Sequence, residues 1–537
     1  ARFVGAKQPR NACNERGSRS KIRSAEQHAR KSNRRKNGFF HRLNPNCLKP
    51  TSYFYCLGGK LVTLTKVGNG IPKLEADFRS NFSTVASRAR VLGQIASRLA
   101  KTGAAGSNSR MRERLLSKID ELEQDLTALT VDLIRFPTIN PPGEAYTPCA
   151  AYIGNRLKHR GFEVDYVRGE GTPGDTDRYP RTNVVARIEG KRPGPTVHFN
   201  SHIDVVEPGD GWTVDPFAGV VKDGRVYGRG ACDMKGGLAA SIIAVEAFLQ
   251  ICPDFPGAIE ISGTVDEESG GFGGVAYLAS KGYFSKPRVD HVIIPEPLNK
   301  ERICLGHRGV WWAEIETKGE IAHGSMPFLG DCAVRHMGAV LEAFEKDLFP
   351  ALDRKQTTMP VVPEGARRST LNLNSIHGGQ TDDFRPGLPS PNVPDWCRLT
   401  IDRRFLLEEK IGDVKGEVIA ILDRLKRERN KFDYEIRDVM EVQPTMTERD
   451  APVVTAVAAG IRAVFDREPD YVISPGTYDQ KHVARIGHLF DCIAYGPGIL
   501  DLAHRPDEWV GITDMVEAAK VMAIGLDLLL HGRRGTD

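Results

Sequence analysis

The sequence predicts an α/β protein with a largely parallel sheet, into which a smaller α+β domain is inserted. Three observations support this fold class. From Met111 onward, apolar runs typical of buried strands alternate with stretches of helical periodicity. Over residues 310–317, apolar and polar side chains alternate strictly, as in a half-buried strand. After residue 451 long helical stretches return, so the second domain interrupts the first.

The elements of the larger domain begin near residue 111. Apolar side chains recur at three- and four-residue spacing from Leu115 to Ile134, which predicts an amphipathic helix that ends before Pro137. The sequence shows no internal repeat. We predict further helices over residues 152–160, 236–249, 451–465 and 513–530, and strands over residues 162–167, 183–188, 196–199 and 258–264.

The smaller domain begins near residue 310. Trp311, Ala313 and Ile315 form the apolar side of its first predicted strand. We predict its strands over residues 310–317, 369–376 and 397–402, and its helices over residues 333–344 and 414–427. This order of elements suits a small α+β sheet domain.

The composition excludes several classes of protein. The chain has 537 residues, of which 40% are hydrophobic and 27% charged, so wholesale disorder, collagen-like repeats and a membrane bundle are excluded. No apolar run suggests a membrane span, and we expect no membrane partner. The 10 Cys are scattered without a CxxC pair, which favours a reducing compartment, and we expect a cytoplasmic protein.

The net charge of +5 averages two very different segments. Residues 1–110 contain 23 Lys and Arg but 4 acidic residues, whereas residues 111–537 contain 51 basic and 65 acidic residues. Because the body is acidic, we expect no nucleic-acid partner. The basic segment could be an anion-binding tail, an organellar transit peptide, or a stretch that precedes the natural start at Met111, and we favour the third interpretation.

Acidic and histidine side chains follow several predicted strands. Because open α/β sheets place their sites beyond the carboxyl ends of the strands, we expect these side chains to lie close together. They are His202 and Asp204 after strand 196–199, Asp233 in the glycine-rich segment 228–237, Asp266, Glu267 and Glu268 after strand 258–264, Glu296 after an apolar run, and His504 before the last helix.

This set of side chains predicts a metal centre. Two His and three carboxylates suit Zn²⁺, Mn²⁺ or Co²⁺. The carboxylate of Asp204 can bond one nitrogen of His202 and leave the other for a metal. The simpler alternatives are a chance His beside a surface acid, or a phosphate loop at residues 228–237, which lack the GxxxxGK[ST] spacing. The sequence contains no thiolate cluster, so the predicted centre is not a structural zinc site. One acid beyond those needed as ligands can serve as the base for a metal-activated water.

With these motifs, residues 111–531 resemble the acetylornithine deacetylase / succinyl-diaminopimelate desuccinylase family of dinuclear metallohydrolases. The motifs that carry the resemblance are residues 201–204 (SHID), 228–237 (GRGACDMKGG), 266–268 (DEE), 295–297 (PEP) and His504, in this order. The resemblance implies a zinc-peptidase-like catalytic domain over residues 111–306 and 441–537. It also implies a ferredoxin-like lid and dimerisation domain over residues 307–440.

The resemblance also implies a role for each site residue. His202, Asp233 and Glu296 would bind one divalent metal ion, while Asp233, Glu268 and His504 would bind a second, and Zn²⁺ is favoured over Co²⁺ or Mn²⁺ for both. Glu267 would be the general acid/base, and Asp204 would orient His202.

Further residues resemble lid and substrate contacts. His323 matches a lid His that reaches the partner subunit's site and stabilises the oxyanion, so the resemblance implies a homodimer through the lid. Arg308, Arg404, Gly476 and Thr477 resemble contacts to the substrate. Residues 378–394 form a longer stretch than is usual in the family, and residues 392–395 lack one residue of its usual motif.

These expectations define a function and two rivals. The favoured function is hydrolysis of the amide bond of a small N-acyl amino acid by a metal-activated water. A dipeptidase or carboxypeptidase could use the same metal pair, and a protein with a dead site could be a metal-binding scaffold. The presence of all five ligands and of Glu267 argues against the scaffold.

Overall fold

The computed structural model describes residues 52–57, 60–65, 110–379 and 391–532. The chain divides into two units, Ala1–Val91 and Leu92–Asp537. In the first unit, two antiparallel strands are described. The rest of the basic segment 1–110 and residues 380–390 of the long stretch 378–394 lie outside the described residues, so the predictions made for them stay predictions.

The strands and helices are numbered in chain order. The strands are β1 (Ser52–Leu57), β2 (Lys60–Thr65), β3 (Glu163–Arg168), β4 (Thr182–Glu189), β5 (Arg192–His202), β6 (Val220–Lys222), β7 (Arg225–Tyr227), β8 (Pro256–Thr264), β9 (His291–Ile294), β10 (Arg302–His307), β11 (Gly309–Lys318), β12 (Thr370–Gly378), β13 (Trp396–Phe405), β14 (Asp433–Val442), β15 (Thr445–Met446), β16 (Asp470–Ser474), β17 (Cys492–Ala494) and β18 (Trp509–Gly511). The helices are α1 (110–121), α2 (Glu123–Ile134), α3 (Tyr146–His159), α4 (Gly236–Ile251), α5 (Tyr277–Ser280), α6 (Ala333–Ala343), α7 (Phe349–Asp353), α8 (Ile411–Glu428), α9 (Pro452–Phe465), α10 (Gln480–Arg485) and α11 (Ile512–His531).

A nine-stranded sheet forms the larger domain, in the order β15-β10-β17-β9-β5-β8-β4-β3, with β16 paired to β10. Its central strands β17, β9, β5 and β8 are parallel to one another, whereas β4 and β3 continue the sheet antiparallel. The prediction of an α/β domain with a mostly parallel sheet is confirmed.

Helices cover both faces of this sheet. Alternate strand residues contribute to two apolar clusters: Ile293 packs with α2, α3, α4, α9 and α11, whereas Val292 and Ile294 pack with α5 and α10. Helix α4 is apolar around its whole circumference because it is buried on all sides. The expectation that no segment suits a membrane span was wrong: Ala231–Ile251 is long and apolar enough, although 83% of its most apolar window is buried inside the protein.

The smaller domain is a four-stranded antiparallel sheet in the order β12-β13-β11-β14. Its chain order of β11, α6, β12, β13, α8 and β14 is that of a ferredoxin-like domain. Helices α6 and α8 cover the face that carries Trp311, Ala313 and Ile315. The chain enters this sheet between His307 and Gly309, and it returns to the larger sheet between Val442 and Thr445.

Candidate metal centre

Neighbouring strands of the large sheet bring the predicted site residues together. Strands β8, β5, β9 and β17 are consecutive in the sheet, and their carboxyl ends point to the same edge. His202 is the last residue of β5, and Glu296 follows β9 by two residues. Asp233 precedes α4, Glu268 lies in the turn after β8, and His504 lies between β17 and β18.

Two groups of candidate ligands share one carboxylate. His202, Asp233 and Glu296 form the first group, and Asp233, Glu268 and His504 form the second; in each, the ligand atoms lie within 4.8 Å of one another. His202 Nε2 is 3.1 Å from Asp233 Oδ1. His504 Nε2 is 3.5 Å from Asp233 Oδ2 and 3.0 Å from Glu268 Oε2. Because Asp233 presents a different oxygen to each group, it is placed to bridge two cations.

A close backbone approach holds two of these segments together. A Cβ atom at Gly237 would lie 2.0 Å from the carbonyl oxygen of Pro295. Any side chain at residue 237 would therefore separate the start of α4 from the loop that carries Glu296. The glycine in this motif thus sets the distance between Asp233 and Glu296.

The charges of the site fit two divalent cations. Burial, with Asp233 nearby, raises the pKa of Glu296 well above its usual range. Burial also raises the pKa of Glu268 to about 7, and Asp233 followed by Glu268 raises the pKa of His504 to about 10. Without a metal ion, the raised pKa values favour the protonated forms of these groups, because three clustered carboxylates require compensating positive charge. Two His and three carboxylates are also suitable donors for Zn²⁺.

Asp204 lies buried below this site and fixes His202. His202 Nδ1 is 3.0 Å from the carbonyl oxygen of Asp204 and 3.5 Å from its Oδ1. The backbone oxygen is thus the nearer partner, where we predicted the carboxylate, and Nε2 faces Asp233 within the first ligand group. The carboxylate accepts hydrogen bonds from Asn140 Nδ2 and from the backbone N–H groups of Glu267 and Glu268. Asp204 therefore orients both the imidazole and the acidic turn.

Glu267 lies beside the two groups and belongs to neither. Its Oε1 accepts a hydrogen bond of 2.6 Å from Lys481 Nζ, and both side chains are mostly buried. The sequence analysis did not identify Lys481. Its position four residues after Thr477, in a segment that resembles substrate contacts, is the signal that could have found it.

Asp266, the first acid of the turn, accepts hydrogen bonds from two side chains outside the ligand groups. Arg181 Nε donates to its Oδ2 at 3.1 Å, and Tyr146 Oη donates to its Oδ1 at 3.1 Å. Arg181 also donates to the carbonyl oxygen of Pro142 at 2.7 Å. Burial, and then the charge of Asp204, still raises the pKa of Asp266 to about 6.

Glu508 supports the backbone of the bridging ligand. Its Oε1 accepts hydrogen bonds from the N–H groups of Cys232 and Asp233 at 2.8 and 3.1 Å. Its Oε2 pairs with Arg229, which also donates to the carbonyl oxygen of Arg505. No role was predicted for this pair, although Arg229 lies within the motif 228–237 and Glu508 follows His504 by four residues.

The predicted oxyanion residue lies on the lid surface. His323 is exposed, and its Nδ1 accepts a hydrogen bond of 3.2 Å from the backbone N–H of Ser325. An imidazole that accepts at Nδ1 carries its proton on Nε2, for which no hydrogen-bond acceptor is found among the described residues. Among the described residues, no hydrogen bond joins His323 to a candidate ligand, so its role stays a prediction.

Arg308 is buried at the junction of the two domains, and backbone oxygens surround it. Four of the five N–H groups of a guanidinium are thereby engaged, which leaves little capacity for a substrate carboxylate. The acceptors are the carbonyl oxygens of Pro475 (3.2 and 3.1 Å), Ala366 (3.1 Å) and Arg368 (2.9 Å).

Arg404 is also occupied, because its Nε and Nη2 pair with the two oxygens of Asp402 at 2.7 and 3.0 Å. Gly476 and Thr477 lie half-buried between β16 and α10, close in the chain to Lys481. The structure thus places Lys481, and neither predicted arginine, in direct contact with the metal centre's acidic turn.

Comparison with known proteins identifies the family. The model of peptidase family M20/M25/M40 matches residues 198–526, which include all the candidate ligands. The succinyl-diaminopimelate desuccinylase of Methylobacillus flagellatus is 29% identical over 411 residues, which cover 75% of this chain and 98% of that protein. The enzyme of the same name from Nitrosomonas europaea is 30% identical over 389 residues, or 71% of this chain and 93% of that protein.

Solved structures share the fold. Human carnosine dipeptidase 1 superposes with a TM-score of 0.62 at 20% identity, and covers 78% of this chain and 99% of its own. The M20 metallo-carboxypeptidase Sso-CP2 of Sulfolobus solfataricus gives a TM-score of 0.59 at 21% identity, with 75% and 98% of the two chains covered. At these identities the likeness establishes the zinc-peptidase-like fold alone.

Proposed function

Because this chain belongs to peptidase family M20/M25/M40, we propose that it hydrolyses the amide bond of a small N-acyl amino acid. The substrate is of the N-acetylornithine or N-succinyl-diaminopimelate type, and the desuccinylases among the relatives favour the second. One observation carries the proposal. Two candidate ligand groups share Asp233, and Glu267, which belongs to neither group, lies beside them.

Five side chains would hold two divalent cations, in the two groups already described. When bound, the cations supply Lewis acidity to the acyl carbonyl and lower the pKa of water. Glu267 would take a proton from the attacking water and deliver it to the leaving amine, which is general acid/base catalysis. Asp204 would hold His202 in the tautomer that leaves Nε2 to the metal.

The lid would complete the site from a second subunit. With its proton on Nε2, His323 on the lid surface would donate to the oxyanion after lid closure or across a dimer. Large apolar side chains exposed on the same domain support a homodimer through the lid, because monomers rarely expose such patches. These side chains are Ile321, Met326, Phe328 and Leu329 between β11 and α6, Val334 in the first turn of α6, and Leu373 and Ile376 of β12.

Two further proposals concern the substrate grip and the cell compartment. Gly476 and Thr477 would contact the substrate, whereas the grip proposed for Arg308 and Arg404 requires each to leave its present partners. A cytoplasmic location is supported by the cysteines that stay out of disulfides among the described residues, namely Cys149, Cys232, Cys304, Cys332, Cys397 and Cys492.

A substrate panel tests the function. The protein is stripped with EDTA, reloaded with Zn²⁺, Co²⁺ or Mn²⁺, and assayed for release of acetate or succinate from acyl amino acids. Glu267→Gln, assayed in parallel, should retain its metal and lose about 10²- to 10⁴-fold in turnover. Metal-dependent cleavage of dipeptides alone would assign the peptidase alternative. Two bound metals without either activity would instead indicate the scaffold.

A further inference from the structure

Lys481 is a buried cation in contact with the site whose role nothing above explains. Its Nζ lies 2.6 Å from Glu267 Oε1, and its side chain is 3% exposed. Surface ion pairs contribute little, but a buried pair depends strongly on its geometry. We propose that Lys481 is a positioning residue for Glu267: its ammonium group holds Oε1 and leaves Oε2 as the oxygen that exchanges the proton. This inference rests on the proposed function.

The backbone around Lys481 is fixed to the large sheet. Gln480 Nε2 donates to the carbonyl oxygens of Leu305 and Cys492 at 3.1 and 2.7 Å, and Tyr478 Oη donates to Gln480 Oε1. The residues on the amino-terminal side of Lys481 are therefore tied to β10 and β17. A lysine on such a rigid base can hold a carboxylate in one orientation.

A second carboxylate anchors the same segment from the other side. Asp479 is buried, and its Oδ2 accepts a hydrogen bond of 3.0 Å from Asn200 Nδ2 on β5. Asn200 in turn accepts from Ser262 on β8 at 2.7 Å. Polar contacts thus connect the centre of the sheet to Asp479, two residues from Lys481.

Two other roles for Lys481 fit these contacts less well. As a proton acceptor it would have to be neutral, but Glu267 and Asp479 raise its pKa in spite of burial, so it stays an ammonium group. As a grip for the substrate carboxylate it would share its ammonium group between two carboxylates, whereas the hydrogen-bond partner found for Nζ among the described residues is Glu267. The ion pair with Glu267 therefore defines its role.

The test compares Lys481→Met and Lys481→Arg with wild type and with Lys520→Met as a control. Lys520 pairs with Asp120 between α11 and α1, so it is a partly buried lysine outside the site. Each variant is measured for kcat, KM, bound metal and the urea midpoint of the metal-free protein. If Lys481→Met does not fold, Lys481→Gln replaces it.

The expected result for Lys481→Met is a fall in kcat of about 10- to 100-fold, part of the effect of losing the proton shuttle, with KM and metal content retained. Lys481→Arg should recover part of this loss, and Lys520→Met should leave kcat unchanged. In a Glu267→Gln background, Lys481→Met should lower kcat no further, because the group it positions is gone.

Several results would overturn this role. An increase in KM alone would assign Lys481 to substrate binding, and an equal loss of kcat in the Glu267→Gln background would make it structural. A variant indistinguishable from wild type would also reject it. A wild-type protein without amidase activity would refute the proposed function itself. In that case, the coupling between Lys481→Met and Glu267→Gln in the free energy of urea unfolding would show only whether the ion pair exists.

Discussion

Replacing Arg181 with Met should destabilise the catalytic domain through a single buried charge. The side chains of Arg181 and Asp266 are 4% and 3% exposed, and they are joined by a hydrogen bond of 3.1 Å. Met has a similar length but no charge, so the substitution leaves the carboxylate of Asp266 buried with Tyr146 as its remaining donor. The carbonyl oxygens of Pro142 and Tyr179 lose their donor as well.

The size of this effect follows from the cost of an uncompensated charge. Removing one partner of a buried ion pair costs about 3–5 kcal/mol. The cost should depend on pH, because burial already raises the pKa of Asp266 to about 6, and Arg181 lowers it. A carboxyl group with a raised folded-state pKa loses stability as the pH rises from its unfolded value through its folded value. The Arg181→Met penalty should therefore be small at pH 5, grow as the pH rises above about 6, and reach its full size only above the higher pKa that Asp266 has in the variant.

Urea denaturation of the metal-free protein, followed by far-ultraviolet circular dichroism, measures this effect at pH 5 and at pH 8. The double variant with Asp266→Asn provides the control, because it removes the stranded charge and should recover much of the lost stability. An unfolding free energy that changes by less than about 1 kcal/mol at pH 8, well below the expected cost, would refute the reasoning. A double variant no more stable than Arg181→Met would refute it equally.

Three further predictions follow from the site and the chain organisation. Mixing His323→Ala with Glu267→Ala subunits should regenerate activity if the lid His acts across a dimer; inactive mixtures after verified subunit exchange would exclude a shared site. Removing residues 1–110 should leave activity and melting temperature nearly unchanged, because the first residues of the described core, Leu115 and Ile119, lie after the removed segment; a large drop would place a stabilising contact in the removed segment. Metal affinity should rise with pH, because His504 must lose its proton to bind a cation, and Asp233 and Glu268 raise its pKa to about 10. Calorimetry that detects no proton release on metal binding at pH 7 would contradict this.

Periodicity predicted the long elements well. The helix predicted over 236–249 is Gly236–Ile251, and the strand predicted over 310–317 is Gly309–Lys318. The predictions missed short strands such as Cys492–Ala494, because three residues cannot show a period. The site residues could be proposed from their position after strands, since the sheet brings strand ends together.

Contacts between distant segments could not be read from local pattern. Arg308 was expected to contact substrate, but the domain junction surrounds its guanidinium with carbonyl oxygens of residues 366, 368 and 475. Arg404 was expected to be available, yet Asp402 lies on the same side of β13, two residues away. Lys481 was not identified because its partner Glu267 is 214 residues away in the chain.

The three consecutive acids after β8 show how such distant partners can divide the roles of identical chemistry. Asp266 faces Arg181, Glu267 faces Lys481, and Glu268 faces His504. A guanidinium stays charged at any physiological pH, so Asp266 is committed to structure. An imidazole can lose its proton and become a ligand beside a carboxylate, which suits Glu268 to a metal site. An ammonium group keeps its charge but holds only one oxygen of Glu267, and under the proposed function the other oxygen would transfer the proton. Three basic side chains from separate parts of the chain thus distinguish the three carboxylates of a single acidic run.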